Sequence, residues 1–402
     1  MKWTKKGHEL NQLMEELRQM RRLYIFGIGG IAQEILNVIA DLKDGFPCEL
    51  VLIDSDGEKQ RQGISGWEIH SPHYLYDRLT AADRVVAASF GRAGEEIRGL
   101  CLAHSVQPEQ IFDGASFLYR ILPIYLSQAY QKVVFHSANM LPTTVCNLNC
   151  RDCLNFTPYL RQHITYSLSE CKENVDLFFQ AVGLVFRFQI TGGEPFLYRE
   201  LCPLLDYIGG RYREQILRFE LVANGTVMPS DEIVAALKRN RMTVYLDDYT
   251  MSLPARQAAR HDEVMMRLRN GGVKVIDNHV DQWFRLYTPE QLPAERGSRD
   301  MEAMFRKCAV PWTTLENGRI SSCNYGLYAA KAGVMEDCDA EYFDLRSYTP
   351  DKARELLEFR CGYNERGYVN LCRVCNGWGG NHTYCQPALQ QQRADVDGQE
   401  ER

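Results

Sequence analysis

No apolar stretch in this 402-residue chain approaches the length needed to span a bilayer. The polar start, Met1 to Lys6, leads toward a helix without the apolar core of a secretory signal. An excess of charge of one sign is also missing. Lys and Arg number 46 against 52 Asp and Glu, a net charge of −6, which gives no reason to expect nucleic acid or an anionic membrane surface as partner. What remains is ordinary globular material, 45% hydrophobic and 24% charged, long enough for two to three domains and expected in the cytoplasm.

Cysteine, by contrast, is plentiful: fourteen residues. In a secreted chain that number suggests disulfides, but in a reducing cytosol metal ligation is the better reading. Three of them fall at Cys146-x₃-Cys150-x₂-Cys153, a pattern that chance places about 0.02 times in a chain of this composition. Three such thiolates hold three irons of a 4Fe–4S cluster and leave the fourth iron open to a chelating ligand. About forty residues on stands Gly192-Gly193-Glu194-Pro195.

Together these motifs resemble the radical S-adenosylmethionine (SAM) enzymes. The resemblance implies a SAM-binding 4Fe–4S cluster on Cys146, Cys150 and Cys153, reduction of SAM to a 5′-deoxyadenosyl radical, and contact of Gly192, Gly193, Glu194 and Pro195 with the methionine end of SAM. It also implies an electron donor such as flavodoxin or ferredoxin. One departure is Asp152, where many members carry an aromatic residue that packs near adenine.

The organisation of the chain is α/β. Leu10, Leu13, Met14 and Leu17 recur at helical spacing. Leu23 to Phe26 reads as a buried strand running into Gly27-Ile28-Gly29-Gly30-Ile31-Ala32 and a helix over 33–42, and a second strand, 49–53, ends at Asp54. With strands near 84–88 and 110–112 and a helix at 93–103, the alternation predicts a Rossmann-like parallel sheet in a domain over 1–125. Gly27, Gly29 and Asp54 fit a dinucleotide fingerprint in which backbone N–H groups approach a phosphate and the acid holds a ribose hydroxyl. Glycines also permit plain helix–strand packing, and an aspartate also begins turns. The stretch 63–72 resembles domains appended to sugar acetyltransferases and methyltransferases, which favours a nucleotide or nucleotide-sugar ligand over NAD.

After a helical connector over 115–131, strands and helices alternate again: a strand before Cys146, then a helix at 168–181. Strands follow at 186–190, 217–222, 243–246 and 273–277, with a helix at 254–269. That series allows an open sheet or a barrel. The family resemblance implies a partial β/α barrel over 132–295. Residues at the C-terminal ends of barrel strands face the active site. Asn224 matches the family's Thr-Asn-Gly stretch as a SAM contact; Asp247 and Asp248 are candidates to bind substrate hydroxyls or accept a proton, or else to cap a helix.

A second cysteine set follows: Cys308, Cys323, Cys372 and Cys375. Asn317-Gly318 is a hairpin turn signal that would bring Cys308 and Cys323 together on adjacent strands. The set resembles the twitch domain, the shortened relative of SPASM domains, which implies a domain over 300–386 with an auxiliary 4Fe–4S cluster saturated by four thiolates; structural zinc is the competing reading. The full SPASM pattern would place another cysteine where Asn381 stands. Of the remaining cysteines, Cys338, Cys361 and Cys385 are candidate hydrogen-atom donors by domain alone. The polar segment 387–402 is expected to be a disordered tail.

The Cys375-Asn376-Gly377 ending is similar to chains associated with sugar and polysaccharide modification. The expectation is hydrogen abstraction from a hydroxylated carbon of a sugar, polyol or nucleotide-linked sugar, giving dehydrogenation or epimerisation. Alternatives are maturation of a ribosomally made peptide, and a non-catalytic iron–sulfur scaffold or electron carrier.

Overall fold

The structure, a computed structural model, describes residues 8–285, 296–308, 312–360, 366–375, 377 and 383–391. The chain divides into two compact units that meet in sequence at His136 and Ser137.

In the first unit, β1 (Arg22–Phe26), β2 (Glu49–Ile53), β3 (Ile69–His70), β4 (Asp83–Ala87) and β5 (Ile111–Asp113) form a sheet in the order β3-β2-β1-β4-β5. Every pairing is parallel. This is a doubly wound order, with the winding reversing at β1. The central strands are near-continuous apolar runs because both faces of the sheet are covered. On one face Tyr24 and Phe26 pack with their register partners Val51, Ile53, Val85 and Ala87. The helix Gly30–Ala40 begins three residues earlier than its apolar spacing indicates, directly from the glycine turn. Two further short helices, Gly57–Gln62 and Pro72–Tyr76, carry too little apolar periodicity to have been read from sequence.

The second unit is built on one eight-stranded sheet. Five strands run through it in chain order: β6 (Val134–Met140, whose first residues still belong to the first unit), β7 (Leu184–Ile190), β8 (Ile216–Ala223), β9 (Thr243–Asp248) and β10 (Lys274–His279). The pairs β7–β8, β8–β9 and β9–β10 are parallel. Helices Leu168–Ala181, Leu201–Tyr212, Asp231–Arg239 and Ala255–Asn270 connect them in turn. Sequential parallel order with right-handed crossovers places all four helices on one face, the winding of a β/α barrel rather than of a doubly wound sheet. Phe178 and Phe179 of the first of these helices pack on Phe188 of β7.

The opposite face is polar. Arg187 Nε and Nη2 form a bidentate pair with fully buried Glu220 (3.0 and 2.9 Å), and the guanidinium lies 5.4 Å from the Tyr245 ring and 5.0 Å from that of Trp312.

Beyond β6 the sheet continues with β12 (Thr314–Glu316), β13 (Arg319–Ser321) and β14 (Tyr342–Asp344), so one unit contains both the second and the third domains expected from sequence. β12 runs parallel to β6, and the β12–β13 hairpin turns at Asn317-Gly318 with φ +50° and +70°, as that dipeptide predicts. A separate antiparallel pair joins β11 (Trp283–Phe284) to β15 (Tyr384–Cys385).

Candidate active site

The C-terminal ends of the parallel strands converge on the loop that follows β6. Thr144 anchors its start: its N–H donates to Ile164 O (2.8 Å), and its Oγ1 accepts from the Ile164 N–H (2.8 Å). The glycine motif after β7 lays its backbone along the same stretch. Gly193 N–H donates to Thr143 O (2.9 Å) and Glu194 N–H to Val145 O (2.8 Å). A Cβ on Gly192 would stand 2.6 Å from Thr143 O, and one on Gly193 would stand 2.3 Å from Val145 O. Both positions therefore require glycine, because the obstruction is backbone.

Glu194 is fully buried and ties the ends of β7 and β8 together, accepting from Phe196 N–H (3.0 Å) and Asn224 N–H (2.8 Å). Burial pushes its carboxyl up to about 7, with the two backbone donors offsetting part of the rise. Pro195 opens the short 3₁₀ turn Pro195–Leu197 that this carboxylate caps.

Cys146, Cys150 and Cys153 gather at the loop with Leu148 and Tyr249. Burial pushes the Cys146 and Cys150 thiols up to about 12. As thiolates in so buried a place they would repel one another without a cation, and iron, which takes thiolates as ligands, would supply that compensation. Donors already face the sulfurs: Leu148 N–H at 3.4 Å and Asn224 Nδ2 at 3.7 Å from Cys146 Sγ, and Gln390 Nε2 at 3.3 Å from Cys150 Sγ. Three thiols, N–H groups aimed at them and a glycine cradle beside them fit a cluster with one open iron.

Asn224 is brought to this loop. Its Nδ2 also donates to Asn147 Oδ1 (3.0 Å), while its Oδ1 accepts from Thr226 N–H and Oγ1 (2.9 and 2.6 Å). Asp247, at the end of β9, accepts from Tyr249 OH (2.7 Å) and Asn278 Nδ2 (2.6 Å); burial raises its carboxyl, opposed by these two donors. Asp248 behaves oppositely. Burial works to raise it, but hydrogen bonds from Thr250 and His279 prevail and hold it at about 2.

Two features at the loop escape a sequence reading. Asp152, buried, accepts from Arg151 Nε (3.1 Å) and Arg285 Nε (3.0 Å), so an ion pair occupies the place at which the aromatic was expected. The segment expected to be a disordered tail begins instead with ordered chain: Arg151 N–H donates to Leu389 O (2.8 Å) and Gln391 N–H to Asn149 O (2.9 Å). Residues 392–402 lie outside the described residues. No local signal in residues 389–391 announces a partner some 240 positions away.

The second cysteine set also comes together. Cys308, Cys323, Cys372 and Cys375 line one small apolar cavity of about 20 Å³ with Phe305, Val369 and Leu371. The hairpin does not carry them as the sequence suggests. Each of its strands is three residues long and ends before the cysteines, so Cys308 closes the helix Ser298–Lys307 and Cys323 opens the helix Asn324–Lys331. Among the spare cysteines, Cys385 lies beside Asp152 and Arg285, and Cys338 beside Arg366. Cys361 lies outside the described residues.

In the first unit, Gly27 (φ +93°) makes the turn after β1, and a Cβ there would meet Ile97 Cδ1 at 2.6 Å. Gly29, which has no side chain, caps the helix Gly30–Ala40. Asp54 stands at this turn. Its carboxylate there accepts from Ile28 N–H (2.8 Å), Lys59 Nζ (2.9 Å) and Asp56 N–H (2.9 Å). Burial alone would raise this group; the three donors hold it below the usual aspartate value.

Residues 140–280 match the Radical SAM superfamily. No curated protein sequence matches the chain. Among solved structures, Streptococcus suis SuiB bound to the precursor peptide SuiA is 16% identical over 38% of this chain and 35% of its own, with a TM-score of 0.29. The AdoMet-bound anSMEcpe is 17% identical over 35% and 40%, at 0.29. BtrN in complex with AdoMet and 2-DOIA is 12% identical over 60% and 93%, at 0.38. The chain thus spans only 35–40% of the length of the first two. The matched span begins at the last residue of β6 and closes just past β10, taking in the three-thiol loop and the glycine motif that pairs with it; over these residues the chain is similar to the Radical SAM superfamily, whose members use a 4Fe–4S cluster and SAM.

Proposed function

We propose that the chain is a radical SAM enzyme that abstracts a hydrogen atom from a hydroxylated carbon of a sugar, polyol or nucleotide-linked sugar, with dehydrogenation as the outcome. When bound, the cluster and SAM supply a 5′-deoxyadenosyl radical. Cys146, Cys150 and Cys153 hold the cluster, and the backbone of Gly192 to Glu194, fixed by Thr143 and Val145, faces the chelating end of SAM.

The observation that carries the substrate class is the polar inner face of the sheet. The Arg187–Glu220 pair with Gln189, flanked by Tyr245 and Trp312, gives charged and hydrogen-bonding groups beside aromatic faces, a lining suited to hydroxyls and C–H surfaces. Asp247, with its raised carboxyl at the end of β9, is the candidate proton acceptor.

The dehydrogenation reading rests on the second cysteine set, which we assign to an auxiliary 4Fe–4S cluster. Four thiols round one apolar cavity saturate a cubane. Tetrahedral zinc is the competing occupant of such a set, and metal analysis distinguishes the two. The balance is then complete: one hydrogen atom goes to 5′-deoxyadenosine, one proton to the base and one electron to the second cluster. For the first unit we propose nucleotide-sugar recognition at the Gly27–Gly29 turn, which leads into the N-terminus of the helix Gly30–Ala40.

Substrate deuterated at the reacting carbon tests this. Deuterium should appear in 5′-deoxyadenosine, and the product should be lighter by two hydrogens. A product of unchanged mass with one solvent-derived hydrogen would establish epimerisation instead. Label that never reaches 5′-deoxyadenosine from any carbon of a turned-over sugar would overturn the proposal.

A further inference from the structure

The segment 383–391 is fastened at both of its ends. Its start pairs in β15 with β11, and Arg285 N–H donates to Thr383 O (2.8 Å). Its end forms an antiparallel bridge between Gln390 and Cys150. Between them Ala388, at φ +50°, is fully buried against Leu148, Cys150 and Tyr249. Backbone bonds from Arg151 N–H to Leu389 O and from Gln391 N–H to Asn149 O fasten the strap along the thiol loop, and Asn149 Nδ2 donates to Gln391 O (2.9 Å).

The side chain of Gln390 has one satisfactory orientation. Asn149 N–H can only donate, so the group 2.7 Å away is the amide oxygen. Nε2 then faces two acceptors, Ala388 O and Cys150 Sγ (3.3 Å). A flipped amide would set donor against donor and acceptor against acceptor at all three contacts. Cys146 takes donors from Leu148 of its own loop and from Asn224, whereas the side-chain donor at Cys150 stands 240 positions further along the chain.

We propose that this strap tunes the redox potential of the SAM-binding cluster, with Gln390 as the positioning residue that donates to the Cys150 thiolate. Reduction adds one electron to the cluster, and part of that charge resides on its sulfurs. An N–H dipole aimed at a sulfur stabilises the reduced state more than the oxidised one and so raises the potential. The inference rests on the assignment of a cluster to Cys146, Cys150 and Cys153.

The test is a potentiometric titration of the anaerobically reconstituted full chain with dithionite, following the electron paramagnetic resonance signal that SAM perturbs. Gln390→Glu keeps an acceptor for Asn149 N–H but removes the donor to Cys150. Gln390→Leu removes both. Each should shift the reduction equilibrium at least tenfold toward the oxidised cluster, about 59 mV for one electron. Gln386→Leu, in the same strap but with its side-chain amide donating to Met251 O rather than to a thiol, should leave it unchanged. If Gln390→Leu takes up no cluster, Gln390→Glu decides. An unshifted potential in Gln390→Glu overturns the proposal, as does an equal shift in Gln386→Leu, which would place the effect in a loosened strap rather than in the hydrogen bond. A wild-type protein with no SAM-perturbed signal would instead overturn the cluster assignment beneath it.

Discussion

The two cysteine sets of the second unit are built on opposite principles. The first puts three thiols on a single loop at the end of a β-strand, held by backbone pairing to the glycine motif and ringed by N–H donors and polar side chains. The second draws four thiols from three separate segments into an apolar pocket, where Phe305, Tyr325 and Leu371 form the packing. Three thiolates leave an iron exposed to chemistry, and donors around them adjust its charge. Under the proposed assignment, four would close an auxiliary cluster, and an apolar wall would keep solvent from it. Yet each set is braced by a buried glutamate that burial pushes up to about 7: Glu194 across the ends of β7 and β8, and Glu341, which accepts from Asn370 N–H (2.7 Å) just before Leu371 and Cys372. A ligand set on one loop can be written as a motif. A set gathered by the fold must be positioned by it.

The contrast breaks most visibly under cysteine replacement. Changing Cys146, Cys150 and Cys153 together to Ala should lower iron from about eight to about four per chain and abolish release of 5′-deoxyadenosine. Cys372→Ala should do the reverse, leaving SAM cleavage but uncoupling it from product; iron analysis and chromatography of both products distinguish the two. Next in size is Gly193→Ala. Its Cβ would meet Val145 O at 2.3 Å, with only backbone to give way, so the motif must part from the thiol loop. We expect SAM cleavage to fall more than tenfold with roughly 1–3 kcal/mol of lost stability, while the iron held by the second set is unaffected. Smaller again is Arg285→Leu. It leaves buried Asp152 with the half-exposed Arg151 as its remaining ion-pair partner, and should make the first cluster bleach severalfold faster in air without changing the second.

What could be read beforehand follows the same division. The thiol loop, the glycine motif and Asn224 are local patterns, and each stands at a strand end as the β/α alternation requires. The Asn317-Gly318 turn was equally legible, because two positive φ values demand those residues. Its consequence was not: three-residue strands end short of Cys308 and Cys323, and the hairpin pairs with β6 instead of presenting the cysteines. Asp54 shows a further limit. The pattern located it beside the glycine turn but did not reveal that Lys59 and two backbone donors engage its carboxylate there. Arg285 on Asp152 and Gln390 on Cys150 join residues 133 and 240 positions apart, and nothing periodic links such positions in a single sequence.

The smallest effect on SAM cleavage, and the sharpest test of the bracing glutamates, is expected at Glu341. Glu194 adjoins Cys146, so iron binding confounds its titration; Glu341 braces the second set through Asn370 with Arg366 nearby at 3.6 Å. Burial is the main cause of its raised carboxyl, with the Asn370 N–H and Arg366 opposing. The folded-state value of about 7 lies above the ordinary glutamate value of 4.5, so the protonated form is the one the fold prefers. Its contribution to stability is therefore fully present below about pH 4.5 and is lost as pH rises through 7. Between pH 5 and pH 8 the wild type should lose up to roughly 3 kcal/mol more stability than Glu341→Gln, whose amide still accepts from Asn370 N–H and does not titrate. Urea unfolding monitored at the second unit across that range measures the difference in slope. Equal slopes would mean that Glu341 titrates as an exposed carboxylate and that the second set is held by its apolar packing alone.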